Sequence, residues 1–133
     1  MRYLLDTNIV SNLMREPQGL VAKRIAAHGE AQVCTSIIVA AELRYRGLKK
    51  GSQRLTDRIE IVLGALDILP YDAPADETYG VIRCQLESAG TSIGGNDLLI
   101  AAQTISLGCT LVTDNEREFA RIEGLASENW LRA

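Results

Sequence analysis

Tyr3-Leu4-Leu5 is a short apolar run, and after Asp6-Thr7-Asn8 the apolar positions Ile9, Val10, Leu13 and Met14 recur at helical spacing until Pro17 breaks the pattern. Leu20 to Ala27 predicts a second helix closed by Gly29, with His28 at its end. Gln32 to Thr35 predicts a strand, and Ser36 is a candidate N-cap for a helix from Ile37 to Leu48. Gly51-Ser52 opens a further helix to about Leu66, Ile68-Leu69-Pro70 predicts a short strand, and Pro74 begins a helix that runs to Ala89. Gly94-Gly95-Asn96 prepares a turn, with Asn96 capping an apolar helix from Asp97 to Leu107 that Gly108 ends. Thr110-Leu111-Val112-Thr113 is the clearest strand; a short helix around Glu116 to Arg121 and an extended tail through Ala126-Ser127-Glu128 follow. Short, non-alternating apolar strands separated by helices predict an α/β fold whose parallel sheet is covered on both faces.

The chain has 133 residues, a length that fits one domain spanning 1–133. With 47% hydrophobic and 23% charged residues and three prolines, it is expected to bury a core. No apolar run approaches the roughly 18 residues needed to cross a bilayer, and an acid arrives at Asp6, too early for a secretory signal. These features predict a cytoplasmic protein with no membrane segment. Cys34, Cys84 and Cys109 form no C-x-x-C pair and read as small buried hydrophobes in a reducing cytosol. The single histidine, His28, supports neither a zinc site nor a Ser-His-Asp set and is expected to help finish its helix. A net charge of −3 gives no global basic footprint, which still permits a nucleic-acid substrate if acids gather at a metal and bases line the rim.

Five of the 17 acids fall where an acid costs free energy or faces a ligand crevice. Asp6 follows the first strand and Asp114 the strand ending at Thr113; in an open parallel sheet, ligands bind outside the carboxyl ends of the strands. Asp97 opens a helix, Leu98-Leu99-Ile100-Ala101-Ala102, that is apolar all round and so expected to be deeply buried. Its alternative reading is a helix-dipole acid worth about 0.3–1 kcal/mol. Glu42 falls beside a face expected to comprise Ile38, Ala41, Tyr45 and Leu48. There a charge must be compensated, and an i,i+4 pair with Arg46 supplies only about 0.2–0.5 kcal/mol. Glu118 precedes Phe119, where an ordinary surface helix with Glu–Arg pairs is the competing reading, as a turn former is for Asp114. Brought together, such carboxylates repel and raise one another's pKa. A hard divalent cation with oxygen ligands relieves that repulsion, and Mg²⁺ or Mn²⁺ at carboxylates serves phosphoryl and phosphodiester chemistry.

The set Leu4-Leu5-Asp6-Thr7-Asn8, Ala41-Glu42-Leu43, Ile93-Gly94-Gly95-Asn96-Asp97-Leu98-Leu99-Ile100-Ala101 and Leu111-Val112-Thr113-Asp114-Asn115 with Glu118-Phe119 resembles the PIN-domain ribonucleases. It is most similar to the VapC toxins of bacterial type II toxin–antitoxin systems, and the similarity runs from Met1 to Glu128-Asn129-Trp130. The resemblance implies a three-layer α/β/α PIN-like domain with a central parallel sheet and an acidic, Mg²⁺- or Mn²⁺-dependent nuclease site. It places the first family acid, the helix Glu and the Asp of the buried helix on Asp6, Glu42 and Asp97, which become the expected metal ligands. Many PIN domains carry a fourth acid where this chain has Asn115; Glu118 and Asp114 are the candidates for it, so the expected catalytic set is Asp6, Glu42, Asp97, Asp114 and Glu118. The family further implies an endoribonuclease toxin leaving a 5′-phosphate and a 3′-OH, with tRNA among the candidate substrates. A cognate VapB-like antitoxin and a homodimer are the implied partners.

Thr7, Ser36 and Thr113 are short hydroxyls beside the acids, placed either to orient carboxylates or to cap helices and end strands. Arg44, Arg46, Lys49, Lys50, Arg54 and Arg58 follow the Glu42 helix as either a rim for an RNA backbone or a solvated face. Two rival enzymes fit poorly. A phospho-accepting receiver domain needs a lysine after a late strand, and the lysines here are Lys23, Lys49 and Lys50; an aspartyl phosphatase needs a second Asp where Asn8 stands. The remaining alternative is a PIN-like nucleic-acid-binding regulator acting with an antitoxin-like partner without significant nuclease activity.

Overall fold

The computed structural model describes residues 2–132; Met1 and Ala133, the two ends of the expected 1–133 domain, lie outside the described residues. Five strands form one sheet: β1 (Tyr3–Leu5), β2 (Val33–Ser36), β3 (Asp67–Leu69), β4 (Thr110–Val112) and β5 (Ser127–Glu128). Their order is β3-β2-β1-β4-β5 and every pairing is parallel. Tyr3, Leu4 and Leu5 sit opposite Val33, Cys34 and Thr35 on one side and Thr110, Leu111 and Val112 on the other. The helices that cross between strands are α1 (Thr7–Arg15), α2 (Leu20–His28), α3 (Ile37–Lys50), α4 (Gln53–Gly64), α5 (Ala75–Ser88), α6 (Gly95–Leu107) and α7 (Glu116–Phe119). This is the predicted α/β architecture with a central parallel sheet. All residues of β2 and β4 are buried, as a sheet covered on both faces requires.

Local chemistry sets the helix ends. The Ser36 hydroxyl accepts from the Ile38 N–H (3.0 Å) and the Ser52 hydroxyl from that of Leu55 (3.2 Å), so α3 and α4 start where their caps predict. Gly51 closes α3 at φ +66°, a left-handed conformation that favours glycine, with Lys49 and Lys50 in the negative last turn. The cap of α6 differs from expectation: Gly94 holds the N-cap position and Asn96 lies inside the first turn. Because the Leu98 N–H already bonds the Gly94 carbonyl (2.9 Å), the helix begins earlier than an Asn cap would allow.

The apolar face predicted for α3 is overturned. Val39, Ala40, Leu43 and Gly47 are the buried positions, whereas Tyr45 is 60% and Leu48 77% exposed. α3 carries two apolar stripes, and contact with α4 selects between them: a Cβ on Gly47 would come within 3.1 Å of Ile59 and Thr56. Only a residue without a side chain lets the two helices approach so closely. Cys34 and Cys109 are buried as expected, with burial pushing the Cys34 thiol up to about 12, but Cys84 is exposed on α5. His28 does end α2, and its ring also stacks on Trp130, with centroids 5.2 Å apart and planes 11° apart.

Candidate active site

The chain runs β1 to β2 to β3 toward one side of the sheet and returns to place β4 and β5 on the other. The direction of winding therefore reverses between β1 and β4, and a crevice opens outside their carboxyl ends. Asp6 leaves β1 there. Its N–H bonds the Val112 carbonyl (2.9 Å), which ties the end of β1 to the end of β4. The side chain is only 3% exposed and is held from two sides. Thr7 N–H donates to Oδ1 (2.8 Å), and the Thr113 hydroxyl donates to Oδ2 (2.7 Å).

Glu42 reaches the same crevice from α3, where the Thr7 hydroxyl donates to its Oε2 at 2.8 Å. Its half-burial comes from this position beside α1, not from the face expected for α3, and Arg46 makes no ion pair among the described residues. Asp97 projects from the first turn of α6, whose Leu98, Ile100, Ala101 and Ala102 are buried as its sequence predicts. Glu118, on α7, accepts from the Gly94 N–H at Oε1 (2.8 Å) and from Asn115 Nδ2 at Oε2 (2.6 Å). The same Asn115 amide donates to Asp97 Oδ2 (3.3 Å).

Four of the five expected acids thus share one locus. Asp114 does not turn into it: it is exposed, its N–H donates to Asn8 Oδ1 (3.1 Å), and its carboxylate accepts from Asn129 (3.0 Å). Of the three hydroxyls, Thr7 and Thr113 orient carboxylates, while Ser36 caps α3 and donates to Gln103.

The electrostatics follow from burial and from like charge. Burial, reinforced by Asp6, Glu118 and Glu42, pushes the Asp97 carboxyl up to about 7, and protonated Asp97 hydrogen-bonds Glu118. Burial also raises Asp6, opposed by its bonds from Thr113 and Thr7. Glu118 moves the other way, held down first by the Gly94 N–H. Among the described residues none of the four acids has a Lys or Arg within ion-pair distance. Nor do three of them close into a ready-made ligating cage among those residues.

One turn along α3 from Glu42, and one along α1 from Thr7, a cavity of about 630 Å³ opens. Its floor is Met14, Leu43, Leu55 and Ile59; its walls carry Arg46, Lys49, Lys50 and Arg58 of the expected basic rim, joined by Arg15. Arg44 instead forms an exposed pair with Glu60 (3.1 Å), and Arg54 is not part of the lining. Arg15 was missed because it precedes Glu42 by a whole crossover, and sequence proximity alone does not reach it. Asn115 was read only as a lost acid; its place two residues after Thr113 was the available signal.

A PIN domain family model matches residues 3–125. The chain is 39% identical over 132 residues to "Ribonuclease VapC2" of Rickettsia felis, covering 98% of each protein. It is 34% identical over 132 residues to "tRNA(fMet)-specific endonuclease VapC" of Shigella flexneri, again with 98% of each covered. Among solved structures, VapBC2 from Rickettsia felis bound to a promoter DNA fragment aligns with a TM-score of 0.88 at 35% identity, over 98% of this chain and 99% of that one. With 98% of the chain matched both in sequence and in structure, it belongs to the PIN-domain family, among the VapC ribonucleases.

Proposed function

We propose that this chain is a divalent-metal-dependent endoribonuclease toxin, with RNA, tRNA among the candidates, as substrate and a VapB-like antitoxin as its neutralising partner. The observation that carries the reading is the meeting of Asp6, Glu42, Asp97 and Glu118 at the β1/β4 crevice with, among the described residues, no Lys or Arg within ion-pair distance of any of them. All the donors there are hard carboxylate oxygens, the set that Mg²⁺ or Mn²⁺ prefers. Asp6, Asp97 and Glu42 would hold the ion and Glu118 would complete the site. At such carboxylates a divalent ion supplies a polarised phosphoryl oxygen and a bound water of lowered pKa.

The rest falls to the chain's own residues. Thr7 and Thr113 fix the Asp6 and Glu42 carboxylates before substrate arrives, which lowers the reorganisation needed at the moment of reaction. Arg15, Arg46, Lys49, Lys50 and Arg58 offer an RNA backbone a positive track that starts one turn from the acids. The same mixture of bases and apolar floor suits an antitoxin segment, whose binding would exclude RNA. A homodimer and a cytoplasmic setting belong to this reading through the family alone.

Cleavage-end mapping on total RNA tests the proposal. Wild type with Mg²⁺ is expected to give discrete ends, absent both with chelator and in Asp6→Ala. Identical ends from Asp6→Ala, or none from wild type, would reject nuclease activity and leave the binding regulator. A second expectation concerns stability: Mn²⁺ at about 100 times its dissociation constant should stabilise the fold by about 3 kcal/mol. Differential scanning fluorimetry would read this as a higher Tm, and the shift should shrink in Asp6→Ala.

A further inference from the structure

Among the described residues, Asn115 is the one neutral side chain that bonds two of the four acids at once. Nδ2 donates to Glu118 Oε2 (2.6 Å) and to Asp97 Oδ2 (3.3 Å). Its backbone N–H donates to the Thr113 hydroxyl (3.0 Å), which in turn donates to Asp6 Oδ2 (2.7 Å). A continuous run of hydrogen bonds therefore leads from α6 and α7 through Asn115 to β1. The Gly94 N–H anchors its far end on Glu118, and Thr7 extends it from Asp6 to Glu42.

The chemistry of the position explains the residue type. Between two carboxylates a side chain must donate twice, and a primary amide carries two N–H donors on one nitrogen without adding charge. The amide must present that end, since its carbonyl oxygen would face two anions. A carboxylate in the same place would donate nothing and would add a fifth acidic group to a site that, among the described residues, has no cationic side chain at ion-pair distance.

We propose that Asn115 is the positioning residue of this site: it holds Asp97 and Glu118 at fixed orientation and, through Thr113, links them to Asp6, so that a divalent ion has only to draw together carboxylates already gathered at one crevice. The inference rests on the proposed nuclease reading. It adds a residue that acts on the acids and touches neither RNA nor the scissile bond. Groups that orient metal ligands in this way typically change metal affinity or activity by about 10–100-fold when removed.

The test uses the full chain, Asn115→Ala beside wild type, with Mn²⁺ binding followed by calorimetry and cleavage of an RNA oligonucleotide followed in parallel. Expected are a Mn²⁺ dissociation constant raised by about tenfold or more and a matching fall in kcat. KM for RNA and the metal-free Tm should remain close to wild type. Unchanged Mn²⁺ affinity and kcat in the folded variant would overturn the proposal. Should wild type bind Mn²⁺ but cleave nothing, the nuclease reading fails while the affinity comparison still judges Asn115. A measurement on wild type covers a variant that does not fold. The Asn115 side-chain amide resonance should shift on Mg²⁺ titration with the midpoint seen for binding, and an unmoved resonance would count against the role.

Discussion

Asp97→Asn is expected to reduce RNA cleavage by about 10²–10³-fold while making the metal-free protein more stable at neutral pH. Both effects come from one charge. Burial and the anions of Asp6, Glu118 and Glu42 raise the Asp97 carboxyl from 3.8 to about 7. An acid whose folded pKa exceeds its unfolded value binds more protons in the native state, so it stabilises the fold fully below the unfolded pKa. That contribution is lost as pH rises through the folded pKa. Urea melts in chelator should therefore show wild type weakening from about pH 4 to above pH 7. The decline should be smaller in Asp97→Asn, with Asp6 still contributing in the same direction because its pKa is also raised. With Asp97 partly open to solvent, the gain at pH 8 is on the order of 2 kcal/mol. Loss of activity joined to a gain in stability is the signature of a residue kept for chemistry. If the substitution instead destabilised the metal-free protein at pH 8, the crowding of anions at the crevice would have been misjudged.

The second large effect lies away from the crevice. Trp130→Ala is expected to cost about 3–5 kcal/mol, lowering Tm by roughly 10–25 °C for a chain of this size. Trp130 is fully buried, although it follows the stretch matched by the family model. Its Nε1 donates to Glu128 (3.0 Å). Its ring stacks on His28 and tilts against Tyr3, with both centroids 5.2 Å away. Removing it uncouples the end of the chain from β1 and α2 together. Trp130→Phe keeps an aromatic ring but loses the hydrogen bond and part of the buried volume, so an intermediate cost of about 1–3 kcal/mol is expected. Equal losses for Ala and Phe would show that the indole N–H, not packing, holds the terminus.

The strands, the helices and the edge at which the acids meet were legible because each rests on a local rule. Tyr3-Leu4-Leu5 and Thr110-Leu111-Val112 are short and largely apolar, as strands of a covered sheet are, and the residues that follow them emerge at its carboxyl edge, where Asp6 turns into the crevice and Asp114 does not. What stayed hidden depends on packing between distant segments. The orientation of α3 is decided by how Gly47 meets α4, and periodicity alone favoured the wrong stripe. Glu42 was therefore found for a reason that does not hold; what holds it is the Thr7 hydroxyl, 35 positions away. Asp114 and Glu118 looked equivalent in sequence, yet the Gly94 N–H and Asn115 select Glu118, while Asn129 takes Asp114. Cys84 was misplaced because a helical pattern does not tell which flank of α5 meets solvent.

The Thr113 hydroxyl and the Asp6 carboxylate stand 107 positions apart in sequence. On a ribosome, Asp6, Glu42 and Asp97 therefore emerge well before the segment that completes their surroundings. β4 must insert beside β1, and α7 must follow it, before the crevice has its final shape. A nascent or truncated product lacking that last stretch carries the first three acids but not the wall that gathers them. The four acids are therefore gathered only once β4 and α7 have joined the fold, whatever the order in which each acid is made.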